Sequence, residues 1–124
     1  MRRVAAAAGG DAAGHATMEW MFEALADVQL MQEKWDGGLA TADRCIAVEA
    51  GNPCCHFYRW FALRQLGRWK EVDAEKPRAA RAFEAYLARK PGASATPRER
   101  ERLASRQRLV KGYHDIFRRA ADRQ

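Results

Sequence analysis

Two tryptophans that stand 34 residues apart, Trp35 and Trp69, constrain the fold of this chain more than any other feature. Each follows one apolar stretch with helical periodicity and precedes the next. A period near this length is typical of stacked helix–turn–helix units. Alanine, arginine, leucine and glutamate are abundant and β-branched residues are few, which favours helix nearly throughout. The sequence therefore predicts one all-α domain built from helical hairpins.

The first hairpin is predicted from an apolar stripe at helical spacing, Met21, Leu25 and Val28, within a helix over residues 18–32. Further apolar residues around this helix suggest contacts on two sides, as in the middle of a stack. Gly37 and Gly38 cost helix stability, so the second helix is predicted to start near residue 39 and to end near residue 48.

The second hairpin starts at Pro53 with an unusually aromatic helix that runs through residue 66. A charged segment over 71–77 contains a proline and lacks an apolar stripe, so we expect it to be an insertion before a fourth helix over 78–89. A last helix follows Thr96, which stands three residues before Glu99 in the arrangement of a capping box. Its apolar stripe and Arg-rich opposite face are typical of the terminal helix of an array.

Residues 19–93 resemble the tetratricopeptide repeat. A first unit over 19–52 places Leu25 and Ala26 on the family's Leu and Gly/Ala positions and Trp35 on its turn aromatic, and a second unit over 53–93 repeats the turn with Gly67 and Trp69. The resemblance implies a short right-handed α-solenoid of two repeats. In this interpretation the remaining segments are an insertion at 71–77, a capping helix over 97–121 and a flexible Ala/Gly-rich lead over 1–17.

The resemblance also implies a function, because the first helix of each unit in this family lines a concave groove that takes a peptide or a partner helix. It thus predicts a non-enzymatic scaffold, adaptor or chaperone-like module, with a homodimer as a further possibility. The segment over 71–77 is a second candidate contact. Phe57 and Phe61 fit either this groove or a core covered by the last helix. By the alignment, the groove residues are Trp20, Glu23, Asp27, Leu30, Phe57, Phe61 and Arg64.

Three cysteines, an odd number, argue against a disulfide framework and favour a reducing, cytoplasmic location. Targeting to an organelle through the N-terminal lead is the alternative. Cys45, Cys54, Cys55 and His56 are of types that bind zinc, but their spacing makes tetrahedral coordination awkward. We therefore expect neither a metal nor a cofactor.

Two features favour other functions. The net charge of +6 is concentrated in the last helix, which could contact RNA or DNA. Arg108 and His114 in that helix resemble the motif of HEPN ribonucleases, in which they would stabilise charge on phosphorus and move a proton. A small structural subunit of a larger assembly is a third interpretation. Other catalytic motifs and membrane-length apolar runs are missing from the sequence, so we expect no enzyme and no membrane partner.

Overall fold

The computed structural model describes the backbone of residues 12–122 and the side chains of residues 20–122. Over this range the chain forms helices and no strand, which confirms the all-α prediction. The predicted flexible lead falls partly on residues 1–11, outside the described part, whereas its last residues, 12–17, already belong to the first helix. The helices are α1 (Ala12–Met31), α2 (Trp35–Val48), α3 (Pro53–Gln65), α4 (Trp69–Leu87) and α5 (Pro97–Ala121).

Helix α3 is the centre of the molecule. Each helix packs against the next one along the chain, and both α1 and α5 also pack against α3. The core between them is aromatic and closely packed: Trp60 and Phe83 are fully buried and Phe117 is 3% exposed. Within the described residues, no helix is both long enough and apolar enough to cross a membrane.

The two turns that follow α1 and α3 have the same backbone geometry, 34 positions apart along the chain. Glu33 and Gly67 both have positive φ angles, 61° and 72°. In each turn this residue donates its N–H to the carbonyl three positions back, and the next residue donates to the carbonyl five positions back. These are the paired hydrogen bonds of a Schellman cap, which reverses the chain direction at the end of a helix.

Replacing Glu33 with glycine is expected to stabilise the protein by about 1 kcal/mol, because a residue with a Cβ atom is strained in the left-handed region and glycine is not. Urea unfolding monitored by circular dichroism measures the change. Gly67→Ala is the matched control at the equivalent turn, and it should destabilise the protein. A Glu33→Gly protein that is less stable than wild type would contradict the expectation.

Helix α2 begins at Trp35, earlier than predicted, so both glycines lie inside its first turns. Gly38 is buried against α1, and a Cβ atom there would come within 2.5 Å of Leu30 Cδ2. The close approach of the two helices therefore favours glycine, because a side chain at residue 38 would have to displace Leu30. The low helix propensity of glycine is outweighed by this packing.

Helix α4 begins at Trp69, so the prediction of an inserted loop over 71–77 is wrong. Val72 and Glu75 are buried in line with Ala79, which extends the inward stripe of α4 through this segment. The stripe is hidden in the sequence because one of its positions carries a carboxylate. Pro77 lies on the exposed side of the helix.

The starts of α3 and α5 agree with the sequence prediction. Asn52 caps α3 by accepting hydrogen bonds from the N–H groups of Cys54 and Cys55, at 3.0 and 3.2 Å. Thr96 and Glu99 form the predicted capping box at the start of α5. Both helices therefore begin at residues whose side chains satisfy free backbone donors.

Helix α1 faces the core with a different side from the one that the stripe suggested. Ala26 and Leu30 are buried, whereas Met21, Leu25 and Val28 are 59%, 45% and 48% exposed. The expectation that α1 makes contacts on two sides is therefore wrong for this chain as described. Spacing identifies an apolar stripe, but it does not tell which side of the helix the rest of the chain covers.

Cys45 on α2 and Cys55 on α3 form a disulfide, with Cα atoms 6.2 Å apart, so the expectation of no such bond is wrong. The odd cysteine is Cys54, which is buried. The prediction of a reducing compartment rested on the absence of a disulfide and loses that support. The two bonded cysteines belong to facing helices, and this pairing could not be read from their separation along the chain.

Candidate functional site

A cleft of about 500 Å³ opens between α1, the loop that enters α3, the end of α4 and the first half of α5. Its rim carries Trp20, which is 66% exposed, and Tyr86 from α4. The other side chains that matter for its chemistry are charged: Glu23, Glu49, Glu99, Arg102 and Arg106. The cleft thus combines aromatic surface with carboxylates and guanidinium groups.

One wall of the cleft is a hydrogen-bonded group that joins three parts of the chain. Glu23 on α1 is 6% exposed and accepts hydrogen bonds from Asn52 Nδ2, at 2.7 Å, and from the guanidinium of Arg106. Burial lowers the pKa of Arg106, but the hydrogen bond to Glu23 and the nearby Glu23, Cys54 and Tyr86 groups together raise it more, so the net shift is upward. Both hydrogen bonds end on Oε2 of Glu23, which therefore holds α5 and the start of α3 against α1.

The other carboxylates of the cleft differ in what they already bind. Glu99 accepts the backbone N–H of Thr96 at 2.8 Å, and this hydrogen bond lowers its pKa. By contrast, Oε2 of Glu49 is buried and has no hydrogen-bond partner among the described residues. A buried carboxylate oxygen without a donor costs free energy. Glu49 therefore brings to this cleft a buried oxygen with unused capacity to accept a hydrogen bond.

The structure divides the predicted groove residues into three groups. Trp20 and Glu23 line the cleft, as a binding role requires. Leu30 and Phe57 are 7% and 6% exposed and offer almost no contact area, so their assignment to a binding surface is wrong for this structure. The half-buried residues Asp27, Phe61 and Arg64 lie outside the lining of the cleft.

Phe57 is covered by the last helix, since its ring centroid lies 5.0 Å from that of Tyr113 on α5.

Sequence reasoning missed Glu49, Tyr86, Arg102 and Arg106. Two of these belong to α5, outside the part of the chain that carries the repeat resemblance. Local spacing offers no signal for a contact such as Arg106 with Glu23, whose residues are 83 positions apart.

A second polar group lies between α2, α3 and α4. Glu75 is 1% exposed and binds two side chains of α3: Nδ1 of His56 at 2.6 Å and Nη1 of Arg59 at 3.0 Å. Arg59 also donates to Asp43 of α2, at 2.7 Å. The group joins three helices through charged side chains in a mostly buried position, where such pairs are strongly interdependent.

Both ring nitrogens of His56 face acceptors, which indicates an imidazolium. Nε2 lies 2.5 Å from the carbonyl oxygen of Ala50, and Nδ1 faces the Glu75 carboxylate. Each of these groups accepts hydrogen bonds, so both nitrogens must carry a proton. Burial lowers the pKa of His56, but the hydrogen bonds to Glu75 and Ala50 raise it, and the net shift is upward.

His56 should therefore stabilise the protein most at low pH. Because its folded pKa is above the unfolded value of 6.5, the stabilisation is complete below about pH 6.5 and is lost as pH rises through the folded pKa. The loss is at most about 1.4 kcal/mol per pH unit. Urea unfolding of wild type and His56→Gln from pH 5.5 to 9 should show a stability difference that shrinks with pH. The lowered pKa of His114, caused mainly by burial, acts in both proteins and cancels in the difference. A difference that does not change with pH would contradict the charged His56.

The alternative catalytic pair is not brought together at one site. Arg108 is exposed and pairs with Glu101 at 2.9 Å, whereas the His114 ring stacks on Phe83 with centroids 4.8 Å apart. Positions six apart on a helix lie about 240° apart around its axis. A nucleic-acid contact through the exposed basic residues of α5 stays a prediction, as does the role of a structural subunit.

The cysteines and His56 also separate. Cys45 and Cys55 are bonded to each other, Cys54 lies 3.7 Å from Nη2 of Arg106, and His56 binds Glu75. Burial raises the pKa of Cys54 to about 12, so its thiol stays protonated. The described residues contain no group of three or more metal-binding side chains placed to hold an ion.

No protein-family model, curated protein or solved structure matches this chain. Inference about its function therefore depends on the geometry of the cleft and of the surfaces around it.

Proposed function

We propose that this protein is a non-enzymatic binding module that holds a peptide segment of another protein in the cleft between α1 and α5. The observation that carries the proposal is the unpartnered, buried carboxylate oxygen of Glu49 in a cleft that also exposes Trp20. A cleft of about 500 Å³ has room for a few amino-acid residues.

The scaffold in this proposal is a short tetratricopeptide-like array of two hairpins and a closing helix. Its support is the recurrence of the turn geometry at Glu33 and Gly67, together with the contacts of α3 with both α1 and α5. First helices of successive repeats would make such contacts. Trp35 packs edge-on against Phe61 at 6.0 Å, so the tryptophan of the first turn contacts the next unit.

The proposed ligand carries a basic side chain. Within the described part of the chain, no donor is bound to Oε2 of Glu49, and lysine and arginine supply donors with a complementary charge. The exposed indole of Trp20 offers a face over which the same cation can pack. The arginines of the cleft do not satisfy this site: Arg106 is bound to Glu23, and the guanidinium of Arg89 lies over the Tyr86 ring, 4.8 Å from its centroid. Arg102, the third, donates no hydrogen bond to Oε2 of Glu49.

A peptide array tests this proposal directly. Hexapeptides with random neighbours and a fixed central arginine, alanine or glutamate are probed with the purified protein, and the best sequences are remade for calorimetry. We expect binding to depend on the central arginine, and Glu49→Gln or Trp20→Ala to weaken it by about tenfold or more, the size of one charge-assisted hydrogen bond.

Glu84→Gln is the matched control, because Glu84 is exposed on α4 and does not line the cleft. It removes the same charge and should leave the affinity unchanged. Circular dichroism first establishes that all variants are folded. Equal binding by the three peptide classes, or equal effects of Glu49→Gln and Glu84→Gln, would refute the proposal.

A further inference from the structure

The outward side of α1 carries a continuous apolar surface. We define the outer face of α1 as Met21, Ala24, Leu25, Val28 and Met31, all of which are exposed. None of them is charged, and Met31 is 77% exposed. The opposite side of α1, with Ala26 and Leu30, is buried against α2 and α3. Contiguous exposed apolar surface of this kind usually marks an interaction site.

The other end of the molecule has the opposite character. Helix α5 exposes a series of basic residues, Arg108, Lys111, Arg118 and Arg119 among them. A terminal helix with a charged outer side needs no further neighbour. Head-to-tail stacking of two copies would place the outer face of α1 against these cations and would desolvate them without partners.

We infer that a second copy of this chain covers the outer face of α1 in a two-fold symmetric dimer, with α1 of one protomer packed on α1 of its partner. An isologous interface sets each surface against itself, so a charge near the axis would meet the same charge. The outer face of α1 avoids this repulsion because it has no charge, although each protomer carries a net charge of +6. Because the outer face of α1 has no charged residue, it also lacks the charge pattern by which an interface selects a different protein.

Sedimentation equilibrium of the full chain, from about 1 to 100 µM, tests the inference. The wild type should approach twice the protomer mass of 14.0 kDa within this range. Leu25→Glu should raise the dissociation constant at least about 100-fold, since the dimer would bury unpaired carboxylates. Leu25 is exposed in the protomer, so circular dichroism should show an unchanged fold.

Ile116→Glu is the matched control, because Ile116 is 46% exposed, about as much as Leu25, but lies on α5. It should dimerise as the wild type does. The Glu49→Gln protein should also form the dimer, because Glu49 is not on the outer face of α1. Loss of peptide binding and loss of the dimer can therefore be told apart.

The inference is overturned if the wild type stays monomeric at about 100 µM or forms open chains. It is also overturned if Ile116→Glu weakens the dimer as strongly as Leu25→Glu does. Oxidation of Met31 by peroxide then identifies the alternative cover. In a monomer, a protected Met31 would assign the outer face to residues 1–11 of the same chain, and a reactive one would show it open to solvent.

Discussion

Replacing Glu75 with alanine is expected to lower the free energy of unfolding by about 3–5 kcal/mol, the cost of breaking a buried ion pair from one side. Glu75 is 1% exposed, and its two oxygens bind His56 and Arg59 separately. Without the carboxylate, an imidazolium and a guanidinium would remain together in a mostly buried position. Urea unfolding at pH 6, where His56 is charged, should show the largest effect.

Glu71→Ala is the control on the same helix. Glu71 pairs with Arg68 at 2.6 Å, but both side chains are more than two-fifths exposed, so removal of this pair should have little effect. A triple variant with His56→Leu, Arg59→Met and Glu75→Leu separates charge from packing, because it removes the charges of all three network residues together. It should recover much of the stability that Glu75→Ala loses. Equal stability of Glu75→Ala and Glu71→Ala would show that the buried network does not stabilise the fold.

The same residue shows why part of this fold was not visible in the sequence. The buried stripe of α4 includes Glu75, and this charged residue interrupts the apolar spacing. The segment was therefore predicted to be an insertion. Likewise glycine at position 38 is a poor helix former, but any larger residue inside α2 would have to displace Leu30. In both places a tertiary contact outweighs a local preference.

The parts that could be predicted are those that local chemistry determines. Pro53 and the capping box at Thr96 set the starts of α3 and α5 through backbone donors a few residues away. The 34-residue period shows again as two equivalent turns at Glu33 and Gly67. For such features, spacing along the chain contains the relevant information.

The candidate site was only partly predictable, for a physical reason. Trp20 and Glu23 were identified because they lie on one helix at repeat positions. Glu49 reaches the same cleft from the end of α2, and Arg102 and Arg106 reach it because α5 packs against α3 and α4. The unpaired oxygen of Glu49 is a property of that assembly and has no local sequence signature.

Replacing Phe57 with alanine is expected to cost about 3–5 kcal/mol of stability, the usual loss for a buried aromatic residue. Its ring lies 5.0 Å from that of Tyr113, 6.1 Å from Trp60 and 6.4 Å from Phe83. The substitution therefore opens a cavity where α3, α4 and α5 meet. Urea unfolding measures the loss, which is a large fraction of the total stability of a domain this size.

Phe61→Ala distinguishes a core role from a groove role. Phe61 is half-buried at the contact with Trp35, so its truncation should cost roughly 1–2 kcal/mol. Phe57→Leu, which keeps most of the volume, should cost less than about 1.5 kcal/mol and keeps the test valid if the alanine variant does not fold. If Phe57→Ala were as stable as wild type and only peptide binding were lost, the residue would belong to a binding groove. We expect the opposite result, a loss of stability, because α5 packs over Phe57 and leaves the ring almost no surface for a bound peptide.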